Sequence, residues 1–137
     1  MNYKKMKSQY KKMYAEIVQT LSKFSKDKRL KVGALLLKDG RIISTGYNGK
    51  PTNIPEIPIM KDSHDVGAIH AEMNCICFAA KHGISVKNCE IFVSHFPCIQ
   101  CTKLLYQCGI KKIYYLKDYK NNDNEYSDII KREKIEL

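Results

Sequence analysis

The sequence predicts an α/β protein, a three-layer α/β/α sandwich in which a mixed sheet of about five strands lies between two layers of helices. Segments with helical periodicity alternate along the chain with short apolar or β-branched runs, and this alternation is typical of such a fold. The length of 137 residues is near the usual size of one domain. Residues 1–137 are therefore expected to form a single domain.

The first half of the chain predicts a helix, a hairpin and a long loop. Apolar side chains recur every three or four positions from Tyr3 to Phe24, which indicates an amphipathic helix. Leu30–Leu37 and Arg41–Tyr47 have the composition of strands, and Lys38-Asp39-Gly40 between them predicts a hairpin turn. Residues 48–69 hold three of the four prolines and show little periodicity, so we expect a loop whose length indicates a function.

In the second half, helices and strands are expected to alternate at His70–His82, Cys89–Val93, Cys98–Gln107 and Ile110–Leu116. Gly83 is a suitable C-cap for the first of these helices, and Pro97 fits the turn that opens the second. A polar loop is expected at 117–124. After it, Ser127 as N-cap with inward-facing Ile129 and Ile130 predicts a final helix over Ser127–Lys134.

Charge and hydropathy restrict the classes of function. The formal net charge of +10 could attract nucleic acid, but the lysines are spread over the termini and the connections, and only three residues are arginine. A solvated lysine-rich surface is favoured, and a small phosphorylated substrate is compatible with it. No apolar run is long enough for a membrane span, and no signal peptide is apparent. We expect a cytoplasmic protein with no membrane partner.

Six cysteines in a cytoplasmic protein favour metal binding or burial over disulfides. Cys98 and Cys101 alone have the spacing of a ligand pair. The other four are interpreted as small core or boundary residues: Cys75, Cys77, Cys89 and Cys108.

Two motifs at predicted helix starts carry the chemistry. His70-Ala71-Glu72 supplies an imidazole, and Pro97-Cys98-x-x-Cys101 supplies two thiols one turn apart. Three such ligands suit a tetrahedral zinc ion whose fourth position holds water, and zinc lowers the pKa of that water to about 7. A purely structural site would need a fourth protein ligand, for which the candidates are His64, His82 and His95.

Glu72 is predicted to be the catalytic residue. It lies two positions after His70 in the first helical turn, where its carboxyl group can face the metal water without completing a closed four-ligand site. One carboxylate can take a proton from water and then deliver protons to a ring nitrogen and a departing amine. The combination of His-x-Glu with Pro-Cys-x-x-Cys is a known signature of zinc deaminases.

At these residues the chain resembles the cytidine deaminase superfamily, and more narrowly the deoxycytidylate (dCMP) deaminases of the competence-operon and phage type. The resemblance covers about residues 10 to 120. It is carried by five blocks: Ser25-Lys26-Asp27, Val32-Gly33-Ala34, Gly46-Tyr47-Asn48-Gly49-x-Pro51, His70-Ala71-Glu72-x-Asn74 and Phe96-Pro97-Cys98-x-x-Cys101-x-Lys103. It implies a cytidine deaminase-like fold and one Zn²⁺ per chain. It also implies hydrolysis of dCMP to dUMP and ammonia, which supplies thymidylate synthesis.

The resemblance also implies how the substrate is held. Asn48 would hydrogen-bond the sugar hydroxyl, and backbone donors near Ala71 and Cys98 would hold the pyrimidine. Phe96 would pack against the pyrimidine ring as one wall of the pocket. Lys26 is a candidate for the phosphate, and Tyr119 is a further candidate contact. Family members are commonly homo-oligomers, so a hexamer or a dimer is expected. Family members that are regulated by deoxycytidine triphosphate usually carry a second glycine soon after the Tyr-Asn-Gly block. At that place this chain has Thr52-Asn53-Ile54.

Two alternatives stay open. The same metal site would serve the deamination of another cytosine nucleotide or nucleoside, or of adenosine in tRNA, although the long link between Asn48 and His70 resembles the dCMP deaminases and favours a mononucleotide. A zinc-stabilised, nucleic-acid-associated interaction module is the non-enzymatic alternative. The presence of Glu72 argues against it, because a structural zinc site does not need that carboxylate.

Overall fold

The computed structural model describes residues 5–119 and 125–137. Its helices are α1 (Ser8–Ser22), α2 (Ala71–Lys81) and α3 (Ile99–Gln107). Its strands are β1 (Gly33–Lys38), β2 (Arg41–Tyr47), β3 (Met60–Lys61), β4 (His64–Asp65), β5 (Glu90–His95), β6 (Lys112–Lys117) and β7 (Lys131–Lys134). Across the described residues, no helix is both long and apolar enough to cross a membrane.

Five of the strands form one mixed sheet in the order β2-β1-β5-β6-β7. β1 is antiparallel to both β2 and β5, whereas β5, β6 and β7 run parallel to one another. The parallel strands β5 and β6 are joined through α3, as parallel neighbours require a crossover connection. The mixed five-stranded sheet predicted from the sequence is confirmed.

Side chains alternate between two cores, one on each face of the sheet. In β1, Leu36 packs into a cluster with residues of α2 and α3, while the adjacent Leu35 packs into a second cluster with α1. Ile91 and Phe92 of β5 divide between the two clusters in the same way. Helices therefore cover both faces, and the predicted three-layer α/β/α sandwich is confirmed.

The amphipathic first helix is present but shorter than predicted, and residues 1–4 lie outside the described part of the chain. Its buried face is formed by Tyr14, Ala15 and Val18. Tyr10 and Met13, which also belonged to the periodic apolar pattern, are 44% and 41% exposed. The helix thus buries a narrower face than its apolar pattern suggests.

The final helix predicted over Ser127–Lys134 is wrong. Residues 125–130 form turns and bends, and Lys131–Lys134 is strand β7, paired in parallel with β6. The open edge of β6 supplies hydrogen-bonding partners for the backbone, and the N–H of Ile135 donates to the carbonyl of Tyr115 at 2.8 Å. Burial of Ile130 and Ile135 on opposite faces of the sheet adds to this pairing, and local helix propensity does not outweigh it. Of the loop expected at 117–124, residues 120–124 lie outside the described residues.

The loop expected at 48–69 is largely irregular but contains a short antiparallel ribbon. Met60 pairs with Asp65 and Lys61 pairs with His64. Gly49 and Ile69 also exchange backbone hydrogen bonds of 3.1 and 2.7 Å, which close the base of the loop. We name residues 50–69 the covering loop, because several of its side chains line the cavity described below.

Candidate active site

The starts of α2 and α3 bring the predicted metal ligands together. His70 is the N-cap of α2 and Cys98 is the N-cap of α3, both with extended backbone, and Cys101 lies in the first turn of α3. Neither cap makes a side-chain hydrogen bond to its own helix. Their side chains are therefore available to each other, at helix ends whose exposed N–H groups favour thiolate charge.

The three ligand atoms converge at metal-binding distances. Nδ1 of His70 lies 3.6 Å from Sγ of Cys98 and 3.3 Å from Sγ of Cys101, and the three atoms lie within 4.8 Å of one another. One imidazole and two thiols fit zinc chemically. Among the described residues no fourth His, Cys, Asp or Glu joins this group, so the donor set leaves a coordination position for water.

The histidines considered as a fourth ligand have other partners. His64 contacts Arg29, His95 is at 2.9 Å from the hydroxyl of Ser94, and His82 lies against the ring of Phe78 at 4.4 Å between centroids. A closed structural zinc site is therefore not formed by the described residues.

Hydrogen bonding within the cluster favours one thiolate. A hydrogen bond from Cys101 is the main cause that lowers the pKa of Cys98, to about 4, and a hydrogen bond from His70 acts in the same direction. Burial opposes this change. The pKa of Cys101 is raised by its hydrogen bond with Cys98 and by burial. The hydrogen bond with Cys98 raises the pKa of His70, while burial opposes this. Negative charge thus collects where a cation would bind.

Glu72 is buried beside the cluster, with 4% of its surface exposed. Burial raises the pKa of its carboxyl group to about 7, against the lowering effects of its own backbone N–H and of His70. A carboxyl group in this range can both accept and donate a proton near neutral pH. Its place in the first turn of α2, one residue after Ala71, directs it to the same cavity as His70.

A cavity of about 480 Å³ opens onto the cluster. Of the nine site residues predicted from the sequence, all except Cys101 line it: Lys26, Asn48, His70, Ala71, Glu72, Phe96, Cys98 and Tyr119. The volume is in the range of small-molecule sites. The fold thus brings together residues that are spread over more than ninety positions of the chain.

Asn48 links the cavity to the backbone in front of β1. Its Oδ1 accepts the N–H of Val32 at 2.9 Å, and its Nδ2 donates to the carbonyl of Leu30 at 2.8 Å. Its side chain is nearly buried, and its own backbone carbonyl accepts the hydroxyl of Ser25. Asn48 therefore holds the 25–32 segment in place, a structural role that the sequence interpretation did not include.

Gly46 allows β2 to approach the start of α2. A Cβ atom built on Gly46 would lie 2.8 Å from the carbonyl oxygen of Ala71 and 3.1 Å from Cβ of Asn74. Asn74 in turn donates to the backbone carbonyl of Tyr47 at 2.7 Å. Close contact between β2 and α2 fixes the helix end that carries His70 and Glu72.

Asp65 organises the covering loop. Its Oδ1 accepts the N–H groups of Ile59 at 3.0 Å and Gly67 at 3.1 Å, and its Oδ2 forms an ion pair with Lys50, whose side chain is only 5% exposed. The hydrogen bond from Lys50, followed by that from Ile59, lowers the pKa of Asp65. One carboxylate therefore holds three separate parts of the covering loop together.

The sequence interpretation missed Arg29, which also lines the cavity. Its guanidinium contacts Nδ1 of His64 and donates to the hydroxyl of Tyr119. Arg29 lies in the segment that carried the Ser25-Lys26-Asp27 block, but its partners are 35 and 90 positions away. No local signal could have identified this cluster.

Phe96 lies where the sequence interpretation expects it, on the wall of the cavity. Phe96 lines the cavity with 2% of its surface exposed, and its ring packs edge-on against Tyr115.

All six cysteines are free thiols. Cys75 and Cys89 lie in the core and Cys108 is half-buried, but Cys77 is exposed, which the core or boundary interpretation does not describe.

Known proteins are similar to this chain in sequence and in fold. Residues 7–117 match the family described as the cytidine and deoxycytidylate deaminase zinc-binding region. ComE operon protein 2 of Bacillus subtilis is 45% identical over 98 residues, which cover 69% of this chain and 52% of that protein, about half its length. The deoxycytidylate deaminase of Enterobacteria phage T4 is 32% identical, with 89% of this chain and 85% of that protein covered.

Among solved structures, the dCMP deaminase of cyanophage S-TIM5 in complex with dCMP and dUMP is similar over 96% of this chain and 100% of that chain. Its TM-score is 0.87 and its identity is 32%. The family match covers most of the sequence, and the structure brings together a His, Cys, Cys group able to hold a metal at the positions that the sequence predicted. This chain therefore belongs to the cytidine and deoxycytidylate deaminase family, a zinc-binding family.

Proposed function

We propose that this protein deaminates deoxycytidine monophosphate by hydrolysis, converting dCMP and water to dUMP and ammonia. The observation that carries the proposal is the convergence of His70, Cys98 and Cys101 beside the buried Glu72, on the wall of a cavity of mononucleotide size. The names of the phage relatives and the dCMP and dUMP complex of the cyanophage enzyme support the choice of substrate.

We assign His70, Cys98 and Cys101 as the zinc ligands. The cysteines would bind as thiolates, which the helix N-terminus and the low pKa of Cys98 favour. When bound, zinc supplies a Lewis acid that lowers the pKa of water from about 15.7 to about 7 and so provides a nucleophile at neutral pH. The remaining steps fall to the protein's own groups.

Glu72 is the proton carrier in this proposal. Its carboxylate takes a proton from the attacking water and delivers it to the ring nitrogen next to the amine-bearing carbon. It then takes the second water proton and passes it to the amine, which leaves as ammonia when the carbon–nitrogen bond breaks. Burial of Glu72 excludes bulk water from this exchange.

We place the pyrimidine against the metal cluster, with Phe96 on one wall and the backbone near Ala71 and Cys98 as hydrogen-bonding groups. Asn48 is placed near the sugar, where one N–H of its amide is not used by Leu30. Lys26 and Tyr119 line the same cavity and are assigned to the region of the phosphate.

Ammonia release by the purified, zinc-loaded protein tests this function. The substrates are dCMP, deoxycytidine, deoxycytidine triphosphate, cytidine monophosphate and tRNA, each with wild-type protein and with Glu72→Gln. We expect release from dCMP with wild-type protein and a loss of roughly 100- to 10,000-fold with the variant. Release from tRNA alone would instead support the adenosine alternative, and no release from any substrate would favour the interaction module.

We further propose a cytoplasmic homo-oligomer, a hexamer or a dimer. Exposed apolar side chains on two helices of the same layer support it, since Phe78 of α2 is 48% exposed and Leu104 and Tyr106 of α3 are 44% and 55% exposed. Light scattering coupled to gel filtration measures the mass in solution. A mass equal to one chain of 15.8 kDa would contradict the proposal.

A further inference from the structure

The covering loop has little hydrophobic packing of its own. Its strands β3 and β4 have only two residues each. Five of its large apolar side chains are between 50% and 68% exposed: Ile54, Ile57, Ile59, Met60 and Val66. A two-stranded ribbon without a buried face is at best marginally stable in water. Polar contacts therefore have to hold this loop in its conformation.

These polar contacts converge on Asp65, and Lys50 supplies its charged partner. Within residues 5–119 and 125–137, the Lys50–Asp65 pair is the one ion pair that the covering loop forms. The side chain of Lys50 is only 5% exposed, so its ammonium group is largely removed from water. Removing one partner of a buried ion pair leaves the other charge uncompensated, which costs far more than the loss of an exposed pair.

Gly67 allows the loop to close around the Asp65 carboxylate. A Cβ atom built on Gly67 would lie 3.0 Å from Cδ1 of Ile59 and 3.3 Å from Oδ1 of Asp65. Beside it, the N–H of Val66 donates to the carbonyl of Ile59 at 2.9 Å. Because the two sides of the loop pack tightly at this point, an added methyl group would push them apart without changing any charge.

The ion pair lies between the base of the loop and the cavity. Lys50 directly follows Gly49, whose backbone bonds to Ile69, and Ile69 directly precedes the metal ligand His70. Lys50 and Asp65 both line the cavity, together with four other residues of the loop: Glu56, Pro58, Met60 and Ala68. The position of this wall of the cavity therefore depends on the contacts that hold the loop.

We propose that Lys50 is a positioning residue for the active site, which acts through its ion pair with Asp65 to hold the covering loop as one wall of the cavity and so sets the affinity for the nucleotide. A wall that is already in place costs less conformational entropy when the ligand binds. Proton transfer by Glu72 does not use this pair, so its loss affects KM more than kcat. The inference rests on the proposed function for the nature of the ligand.

Hydrogen–deuterium exchange of the zinc-loaded protein without nucleotide measures the state of the loop. We expect Lys50→Met to speed exchange at the N–H groups of Ile59 and Gly67 by roughly 10-fold, because their shared acceptor loses its anchor, and to leave β5 unchanged. Lys61→Met is the matched control. It removes an exposed charge of the same loop that does not line the cavity and forms no ion pair in the described part of the chain.

Kinetics and binding measure the consequence for the site. With dCMP, Lys50→Met should raise KM by roughly 10-fold and change kcat less, with bound zinc unchanged. Calorimetric titration of dCMP into protein that also carries Glu72→Gln should show the same loss of affinity without turnover. Asp65→Asn should have the effect of Lys50→Met, and the two together should be no worse than either alone, because both act through one ion pair. Gly67→Ala should raise KM with both charges in place.

Two results would separate this role from a direct contact between Lys50 and the ligand. Weaker dCMP binding in Lys50→Met with unchanged exchange at Ile59 and Gly67 would overturn the inference, and so would losses that add in the double variant with Asp65→Asn. Faster exchange with unchanged affinity for dCMP would also overturn it, because the loop would then not determine binding.

Ammonia release from dCMP tests the proposed function separately. Wild-type protein that binds dCMP without turnover would contradict the reaction alone, because exchange and affinity still report on the ion pair. Wild-type protein that binds no dCMP would contradict the substrate, and with it the part of the inference that concerns affinity. The exchange measurement would then still decide whether Lys50 holds the loop.

Discussion

Nδ1 of His70 lies 3.3 Å from Sγ of Cys101, although 31 positions of sequence separate the two residues. The contact exists because α2 and α3 pack on the same face of the sheet with their N-terminal ends side by side. Three ligands that come from two helix starts make metal binding sensitive to each of them.

Cys101→Ser is expected to reduce bound zinc to a small fraction of one ion per chain and to abolish ammonia release, because a hydroxyl is a poor ligand where a thiolate is needed. Elemental analysis of the purified protein measures the metal. Cys77→Ser is the matched control, since Cys77 is exposed and outside the cluster, and it should retain full zinc. Full zinc in the Cys101→Ser protein would contradict the ligand assignment.

Glu72→Gln is expected to keep zinc and fold while lowering kcat by roughly 100- to 10,000-fold, because the amide has almost the same shape but cannot carry the proton. Steady-state kinetics with dCMP measures the effect. Glu56→Gln removes another carboxylate that lines the cavity, from the exposed part of the covering loop, and should leave kcat within about threefold of wild type. A similar loss of kcat in the two variants would indicate that kcat depends on negative charge in the cavity and not on proton transfer by Glu72.

Gly46→Ala is expected to lower the free energy of unfolding by about 1 to 3 kcal/mol, because the added methyl group would lie 2.8 Å from the carbonyl oxygen of Ala71. Denaturant unfolding measures this change, and zinc content should fall as the start of α2 shifts. Gly49→Ala is the control, since a Cβ atom there meets nothing within 4 Å. Equal stability of the two variants would show that β2 and α2 are not in close contact at this point.

Asn48→Ala separates two roles of one residue. Loss of the hydrogen bonds to Leu30 and Val32 should lower the free energy of unfolding by about 1 to 3 kcal/mol, because both backbone groups lose their partner. Thermal and denaturant unfolding measure this effect, and KM for dCMP reports any contact with the sugar. A raised KM with unchanged stability would contradict the structural role and support a contact with the substrate alone.

Glu133 gives a pH dependence of stability. Burial raises the pKa of its carboxyl group, but hydrogen bonds from Lys11 at 2.7 Å and Lys112 at 3.0 Å outweigh burial and lower it below the ordinary 4.5. A lowered folded pKa stabilises the protein above pH 4.5, and this contribution is lost as the pH falls through the folded pKa.

The difference in unfolding free energy between wild type and Glu133→Gln should therefore be constant, at about 1 kcal/mol or less, near pH 7 and shrink below pH 4.5. Urea unfolding at a series of pH values measures it. A difference that grows on acidification would reverse the sign and contradict the ion-pair interpretation.

The two motifs that contain His70, Glu72, Cys98 and Cys101 could be recognised in the sequence because each motif is local. Within each motif the residues are three positions apart or fewer, and a helix start fixes their relative directions, whereas the meeting of the two motifs depends on the packing of α2 beside α3. The hairpin, the central strands and α2 and α3 were predictable for the same reason, since periodicity of apolar residues reports which side of an element is buried. The sequence by itself therefore determined the fold class, the metal chemistry and the family.

The tertiary structure alone decided the features that depend on distant partners. Lys131–Lys134 became strand β7 because the edge of β6 offered hydrogen bonds that no local pattern encodes. Arg29 joined His64 and Tyr119 because the covering loop and the end of β6 meet over the same cavity. Asn48 bonded to the backbone in front of β1 for a similar reason. Long-range pairing forms only once the sheet is assembled, whereas helix starts and ligand spacing are set within a few residues.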